Sequence, residues 1–230
     1  MRPDSFKECR QCVFTSPLFE GLSEEELSYL ANYASNQSFR KGEIVSTQGK
    51  EIQFISFLKK GLLKLFKTSD DGRDQIISIA KPNDCIGLLS VFSNHNYQYS
   101  VAALEDSTIY YIELSRVKSI IRNNGPFGLK LLGRISNAAD YIISNTYTIS
   151  MKNLRGRIAF CLLEFSEDIY HKNTFDLPLS RKEIAELIGM TTENVIRILS
   201  EFRRDNIIDI QGKTISILKP ELLKTIEKNG

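Results

Sequence analysis

The chain has 230 residues, of which 42% are hydrophobic and 25% are charged, and its formal net charge is +2. This balance is typical of a soluble protein with one or two domains, and it excludes a wholly electrostatic nucleic-acid binder, which would be far more basic. No apolar run approaches the roughly 20 residues that span a bilayer, and the polar segment Met1 to Arg10 is unlike a signal peptide. Four cysteines without an export signal indicate reduced thiols. We therefore expect a cytoplasmic protein without a membrane partner.

The first predicted helix lies within residues 18–34. Ser23 and Glu26 have the spacing of a capping box, in which each side chain accepts a hydrogen bond from the backbone N–H of the other residue. Leu27, Leu30 and Ala34 then fall on one helical face.

Residues 39–113 alternate short β-rich runs with turn signals, and the step Asp71-Gly72 is a hairpin signal. Several short strands at this spacing predict an antiparallel barrel or sandwich. The runs are IQFISFL, LLKLFKT, DQIISIA and STIYYIEL.

Two helices are predicted next. Ser115 is placed to cap a short helix through Ile121, and Pro126 is suited to the start of a second helix that meets no strong breaker before Ser150. Apolar or small residues repeat along the second helix with the 3-4 spacing of a coiled-coil seam, which predicts a partner helix from a second chain. The alternative is one amphipathic helix packed on its own barrel. The seam residues are Leu132, Ile135, Ala139, Ile142, Thr146 and Ile149.

A second domain is predicted after a hinge at residues 151–156. Its first helix has Ile158, Leu162 and Phe165 on one face. At its end, the run IIDIQGKTISIL predicts a β-hairpin that turns at Gln211-Gly212.

Between these elements lies a helix-turn-helix pattern. Ser180 and Glu183 form a second capping box over residues 181–188, Gly189 is suited to a sharp turn with positive φ, and Thr191 can cap the next helix. The small Ala185 permits a close helix crossing. A generic helical hairpin within a core is the alternative. The apolar face of the second helix consists of Val195, Ile198, Leu199 and Phe202.

The opposite face of the second helix has the chemistry to read base edges. Arg197 can donate two hydrogen bonds to guanine, Glu193 can accept one from the amino group of cytosine, and Ile196 can contact a thymine methyl group. Polar and basic residues nearby are candidates for contacts with the DNA backbone, with a solvated surface as the alternative. They are Arg181, Lys182, Thr192, Ser200, Arg203, Arg204 and Lys213.

These motifs together resemble the CRP/FNR superfamily of transcription regulators over nearly the whole chain. The resemblance is carried by RKGEIVSTQG, FLKKGLLKLFK, DDGRDQIISIAKPNDCIG, LEDSTIYYIELSRVKSII and LSRKEIAELIGMTTENVIRILSEF, with the wing IIDIQGKTISIL. It implies an α+β fold with an antiparallel, jelly-roll-like β-roll sensor domain at residues 1–125, a dimerisation helix at 126–150 and a winged helix-turn-helix domain at 151–230.

The resemblance also implies a homodimer on double-stranded palindromic DNA with a TGA-like core, and RNA polymerase as a partner. Glu193 and Arg197 match residue types that are common at the recognition positions of the family. Ile196 departs from the serine of the FNR branch and the glycine of the CRP branch, which leaves the outer base preference open.

The family's nucleotide cassette aligns with a segment that lacks its chemistry. Leu88 cannot accept a hydrogen bond from a ribose hydroxyl, Gln98 carries no charge, and no Lys or Arg occurs between Lys81 and Arg116. We therefore expect a small-molecule effector other than cyclic AMP, or no effector. The candidate pocket residues are Gly87, Leu88, Leu89, Gln98 and Tyr99.

Other cofactors have little support. Cys9 and Cys12 have a metal-like spacing, but an iron–sulfur cluster within one chain needs four thiolates in most cases, so ordinary thiols are favoured. A haem stays an alternative that no residue nominates. No paired carboxylates, Cys–His pair or phosphate loop has usable spacing, so we expect no enzyme. The rival function is a ligand-binding module that does not bind DNA.

Overall fold

The computed structural model describes residues 11–93 and 95–230. The chain divides into two compact units. One consists of residues up to Thr68 together with Ile77–Tyr141, and the other of Ser69–Ile76 together with Ile142–Gly230.

The chain between residues 34 and 113 forms two four-stranded sheets, with strand orders β1-β8-β3-β6 and β2-β7-β4-β5. The pairings of β8 with β1 and β3 and of β7 with β2 and β4 are antiparallel. The strands are β1 Ala34–Phe39, β2 Ile44–Ser46, β3 Phe54–Lys60, β4 Leu63–Thr68, β5 Asp74–Ala80, β6 Cys85–Ile86, β7 Ser100–Ala103 and β8 Ser107–Glu113.

The central strand β3 contributes to two hydrophobic clusters because successive side chains of a strand point to opposite faces. Leu58 belongs to a cluster with Val101 and Ile109. Its neighbour Phe57 belongs to a second cluster that also contains Phe127 and Leu131 of the long helix.

The helices are α1 Glu24–Ala31, α2 Leu88–Val91, α3 Leu114–Asn123, α4 Gly125–Met151, α5 Leu154–Leu163, α6 Arg181–Ile188, α7 Thr192–Arg204 and α8 Pro220–Asn229. A 3₁₀ turn, Pro17–Phe19, precedes α1, and a π-helical turn, Glu164–Ile169, follows α5. The second unit also contains a three-stranded sheet of order β10-β11-β9, with β9 at Thr174–Asp176, β10 at Ile208–Gln211 and β11 at Thr214–Ile217.

Two predictions near the N-terminal helices need correction. The capping box of Ser23 and Glu26 is confirmed, but α1 ends at Ala31, and Ala34 begins β1 instead of continuing the helical face. Ser115 is not the cap of α3, which begins one residue earlier at Leu114. The backbone N–H of Leu114 donates to the carbonyl oxygen of Gln53, 2.9 Å away, so the first of the four N–H groups at this helix end is satisfied by another segment of backbone.

The segment 151–156, predicted as a hinge, is mostly helical. Only residues 152 and 153 interrupt the helices, because the side chain of Asn153 accepts a hydrogen bond from the backbone N–H of Gly156 and starts α5. Gly156 permits close packing: a Cβ atom there would lie 2.9 Å from Cα of Gly230. The wing turn is also displaced by one residue. Gln211 pairs with Thr214, which leaves Gly212 and Lys213 in the turn.

The predicted α+β fold class is confirmed. Antiparallel sheets form most of the first unit, a helix of 27 residues follows later in the chain, and a helix-turn-helix with a β-hairpin wing comes before the last helix. Within the described ranges, no helix has the length and apolarity that crossing a membrane requires.

Candidate DNA-binding interface

The helix-turn-helix is built from the local signals of its sequence. In the capping box of α6, Ser180 accepts a hydrogen bond from the backbone N–H of Glu183 at 3.2 Å, and Glu183 accepts one from the backbone N–H of Ser180 at 2.9 Å. Gly189 ends the helix with a φ of 63°, a conformation that costs a residue with a Cβ about 1–2 kcal/mol. These features confirm the predicted bounds of the first helix and its turn.

A long-range contact that the sequence did not reveal supports this turn. The guanidinium group of Arg157, on α5, donates from Nη1 to the carbonyl oxygens of Ile188 at 3.3 Å and Gly189 at 2.9 Å. Carbonyl groups at a helix C-terminus lack intrahelical partners and favour a cation nearby. Arg157 therefore ties the end of α6 to α5.

The second helix, α7, has one fully buried face. The hydroxyl of Thr191 accepts a hydrogen bond from the backbone N–H of Asn194 at 3.3 Å and caps the helix. The predicted apolar residues Val195, Ile198, Leu199 and Phe202 are exposed by 2% or less. This burial confirms the helix-turn-helix packing and turns the opposite face of α7 to solvent.

All three predicted base-reading residues are exposed on that opposite face. Ile196 is 51% exposed, and the side chain of Arg197 is 54% exposed. Glu193 is also exposed, one helical turn before Arg197. Their roles on DNA stay predictions.

The ionised side chain of Glu193 is suited to accept hydrogen bonds. A hydrogen bond from its own backbone N–H, followed by one with the Thr191 side chain, lowers the pKa of Glu193. The side chain is therefore a carboxylate at neutral pH and can accept the hydrogen bond of a cytosine amino group.

Arg197 is held by a network of polar side chains. Its Nη1 donates to Oε1 of Glu201 at 2.7 Å, and its Nη2 donates to Oδ1 of Asn194 at 3.3 Å. The other oxygen of Glu201, Oε2, accepts a hydrogen bond from Nη1 of Arg155 at 3.1 Å. Partial burial opposes the charge of Glu201, yet hydrogen bonds and charge from the two arginines lower its pKa.

Four of the predicted backbone-contacting cations are in ion pairs. Three of these pairs are exposed on both sides, and exposed pairs contribute little to stability, so Arg203, Arg204 and Lys213 can exchange their carboxylates for phosphate at small cost. The fourth pair joins Lys182 to Glu186, whose side chain is only 11% exposed. The pairs are Lys182–Glu186 at 3.4 Å, Arg203–Asp209 at 3.8 Å, Arg204–Asp205 at 3.8 Å and Lys213–Asp176 at 2.9 Å.

The other three candidates differ from one another. Arg181 is half-buried, and desolvation lowers its pKa. Thr192 is also half-buried, at the first position of α7. The hydroxyl of Ser200 donates to the carbonyl oxygen of Ile196 at 2.8 Å, so its hydrogen is committed to the helix while its oxygen can still accept.

The predicted dimer seam lies at the border of a buried face of α4. Leu132 and Thr146 are exposed, whereas Ile135, Ala139, Ile142 and Ile149 are half-buried. Ile135 packs against the hydrophobic cluster of its own chain, and this chain covers only part of the seam.

Large apolar side chains beside the seam are open to solvent. We call Leu129, Ile143 and Tyr147 the apolar flank; they are 71%, 66% and 65% exposed. Ile143 follows the seam residue Ile142 in the heptad. It lies on the side of the seam that faces away from the buried Leu131.

The candidate effector residues are divided between the two hydrophobic clusters and the surface. Leu88 is buried in one hydrophobic cluster and Tyr99 in the other. Leu89 is half-buried, and Gln98 is exposed. The ring of Tyr97 packs on Gly87, where an added Cβ would lie 2.8 Å from Cε1. None of the five candidate residues carries a positive charge on its side chain.

One cation near this segment was missed by the sequence reasoning. Arg134 of α4 is close enough to Cys85 for its charge to act on the thiol, and it also donates to the carbonyl oxygen of Pro17. Nothing in the local sequence signals this contact, because 48 residues separate Cys85 from Arg134.

The three cysteines that the structure describes have the surroundings of structural thiols. Cys12 is buried in a hydrophobic cluster, whereas Cys9 lies outside the described residues. Burial raises the pKa of Cys85 to about 12 and also raises that of Cys161, whereas metal ligation uses the thiolate. In the part of the chain that the structure describes, no three His, Cys, Asp or Glu residues are grouped as a metal site.

Comparisons with known protein families match two segments of the chain, one in the sheet region and one in the helix-turn-helix region. Residues 36–124 match the model of the cyclic nucleotide-binding domain family, and residues 156–226 match the Crp-like helix-turn-helix domain. The transcriptional activator protein Anr of Pseudomonas protegens is 26% identical over 93% of this chain and 88% of its own length.

The cyclic AMP receptor protein of Thermus thermophilus is 24% identical over 92% of this chain and 96% of its own. Among solved structures, FixK2 from Bradyrhizobium japonicum has the same fold, with a TM-score of 0.77 and 22% identity over 84% of this chain and 97% of its own.

Proposed function

Because the chain belongs to the CRP/FNR superfamily of transcription regulators, we propose that it reads a palindromic DNA site as a homodimer through α7. Glu193, Ile196 and Arg197 contact base edges in this proposal. The DNA backbone is contacted by Arg181, Lys182, Thr192, Ser200, Arg203, Arg204 and Lys213.

The observation that carries the proposal is the division of α7 into two faces. Val195, Ile198 and Phe202 are fully buried, while Arg197 and Ile196 are half-exposed between them in sequence. An exposed isoleucine on a polar face gains nothing from water, whereas a thymine methyl group would bury it. This arrangement supports a helix that presents its outer face to the major groove.

Dimerisation is proposed to occur through the seam of α4. The apolar flank supports it, since exposed apolar patches mark interaction surfaces, and a parallel partner helix would cover the seam and flank together. Two-fold symmetry would then place the recognition helices about one DNA turn, roughly 34 Å, apart and account for a palindromic site.

Selection of duplexes from a randomised pool with the full-length protein tests this function. We expect an inverted repeat with guanine and cytosine positions in each half. Arg197→Ala should cost about 1–3 kcal/mol at one base pair per half-site and relax specificity there. Arg203→Ala should instead weaken binding to all sequences and reduce the salt dependence by about one ion per half-site.

Each alternative predicts a different result. Failure to enrich any duplex would support the rival function of a ligand-binding module that does not bind DNA. Full base discrimination by the Arg197→Ala protein would contradict the base assignment while leaving a DNA-binding function intact.

The sheets of the first unit are proposed to sense an effector other than cyclic AMP. Leu88 is buried and cannot accept a hydrogen bond, and Gln98 carries no charge for a phosphate. We expect calorimetric titration with cyclic AMP to give no binding at millimolar concentration. The regulator would act in the cytoplasm, at promoters, with RNA polymerase as its partner.

A further inference from the structure

We propose that Glu201 and Arg155 are positioning residues that set base discrimination by holding the guanidinium group of Arg197. This inference rests on the proposed function, because it concerns how Arg197 reads its base. Glu201 lies four residues after Arg197 on α7, and Arg155 lies in the first turn of α5.

The network extends from the hydrophobic core to the exposed face. Phe202 is fully buried, and Cζ of Arg155 lies 4.8 Å from the centroid of its ring, a distance typical of a cation–π contact. Arg155 is further held by Asp205, with Nη2 and Oδ2 3.7 Å apart. Its Nη1 then binds Glu201, whose second oxygen binds Arg197.

Burial separates this network from an ordinary surface ion pair. The side chain of Glu201 is only 22% exposed, whereas those of Arg155 and Arg197 are 38% and 54% exposed. Glu201 is therefore the most buried member of the bridge, and it has a guanidinium group on each side. An exposed pair between two long side chains would instead lose most of its Coulomb energy to water and to side-chain entropy.

The hydrogen-bond count leaves Arg197 able to read guanine while it is held. Each Nη atom of a guanidinium group carries two hydrogens. Glu201 uses one hydrogen of Nη1, and Asn194 uses one of Nη2. One hydrogen on each atom remains, which is the number that O6 and N7 of guanine accept.

The substitution Glu201→Gln separates the positioning of Arg197 from a simple effect of charge on DNA affinity. Glu201→Gln removes a negative charge beside DNA, and charge alone predicts tighter binding to every sequence. If Arg197 is no longer held in place, part of the binding free energy is instead spent on ordering its side chain on the guanine. The preference for the selected site over a duplex with that guanine replaced should therefore fall roughly two- to tenfold.

The experiment measures dissociation constants by fluorescence anisotropy for the selected duplex and the guanine-replaced duplex. Glu221→Gln is the matched control, because it removes the same charge from a side chain that is 89% exposed on α8. The control should leave the preference unchanged. Thermal unfolding checks each variant, and if Glu201→Gln unfolds, Arg155→Lys carries the same test by removing the forked contact while keeping the charge.

A double-mutant cycle separates this inference from the proposed function. Once Arg197→Ala is present, Glu201→Gln should have no further effect on the preference. An unchanged preference in the Glu201→Gln protein would overturn the positioning role, as would a loss of preference that persists without Arg197. If Arg197→Ala itself leaves the preference intact, the base assignment of the proposed function fails instead.

Discussion

Truncation of Leu132 to alanine should weaken the proposed dimer by a predictable amount. Leu132 is 57% exposed in one protomer, so a partner could bury at most about that fraction of its side chain. The substitution deletes three carbon groups at about 0.8 kcal/mol each, which gives roughly 1.4 kcal/mol per copy after scaling by exposure. Two copies give roughly 2.7 kcal/mol, or about a hundredfold increase in the dimer dissociation constant.

Sedimentation equilibrium of the free protein at several concentrations measures this constant. Leu218→Ala is the matched control, since Leu218 is 52% exposed but lies outside α4. It should leave the dimer unchanged. If Leu132→Ala associates as tightly as the natural sequence, or if Leu218→Ala is equally damaging, the seam is wrongly placed and α4 packs in another way.

Three further predictions concern the helix-turn-helix and its caps. Gly189→Ala should lower the free energy of unfolding by about 1–2 kcal/mol in urea melts, because the φ of Gly189 is positive. Gly133→Ala is the control: a Cβ atom there meets open space, and the substitution should raise the free energy of unfolding by about 0.5–1 kcal/mol. Ser180→Ala should lower the free energy of unfolding by about 1 kcal/mol through loss of the cap of α6, and an unchanged urea midpoint would contradict this. Ser23→Ala removes a similar cap in the first unit and should leave hydrogen-exchange protection in α6 unchanged. The hydrogen bond from its own backbone N–H lowers the pKa of Glu193. This contact therefore stabilises the fold above the ordinary pKa of the carboxyl group and is lost only as pH falls through the lowered value. Discrimination for cytosine should be constant from about pH 7 to pH 5, and a decline in that window, measured by anisotropy, would refute the carboxylate role.

Features fixed by neighbours in the sequence could be predicted well. The bounds of α6, the capping pair Ser180 and Glu183, and the positive φ of Gly189 follow from interactions within four residues. Local spacing also explains why Ala34 was wrongly placed on the face of α1. Apolar spacing alone does not show where a helix ends and a strand begins when the first residue of the strand is also buried.

Contacts between distant segments could not be predicted. Arg157 reaches Gly189 and Arg155 reaches Glu201 only because α5 packs beside the helix-turn-helix, and no local pattern signals either contact. The bridge from Arg155 through Glu201 to Arg197 is therefore invisible in the sequence, although each residue type is ordinary in its own helix.

The two-residue interruption between α4 and α5 limits how chain length can vary there. The Nζ atom of Lys152 lies 2.7 Å from Oε1 of Glu227, and its side chain is only 11% exposed, while Asn153 is fixed by capping α5. An added residue there would have to break the Lys152–Glu227 contact, displace the Asn153 cap or be looped out. Chimeras that exchange DNA-binding modules between relatives should keep the length of this joint unchanged.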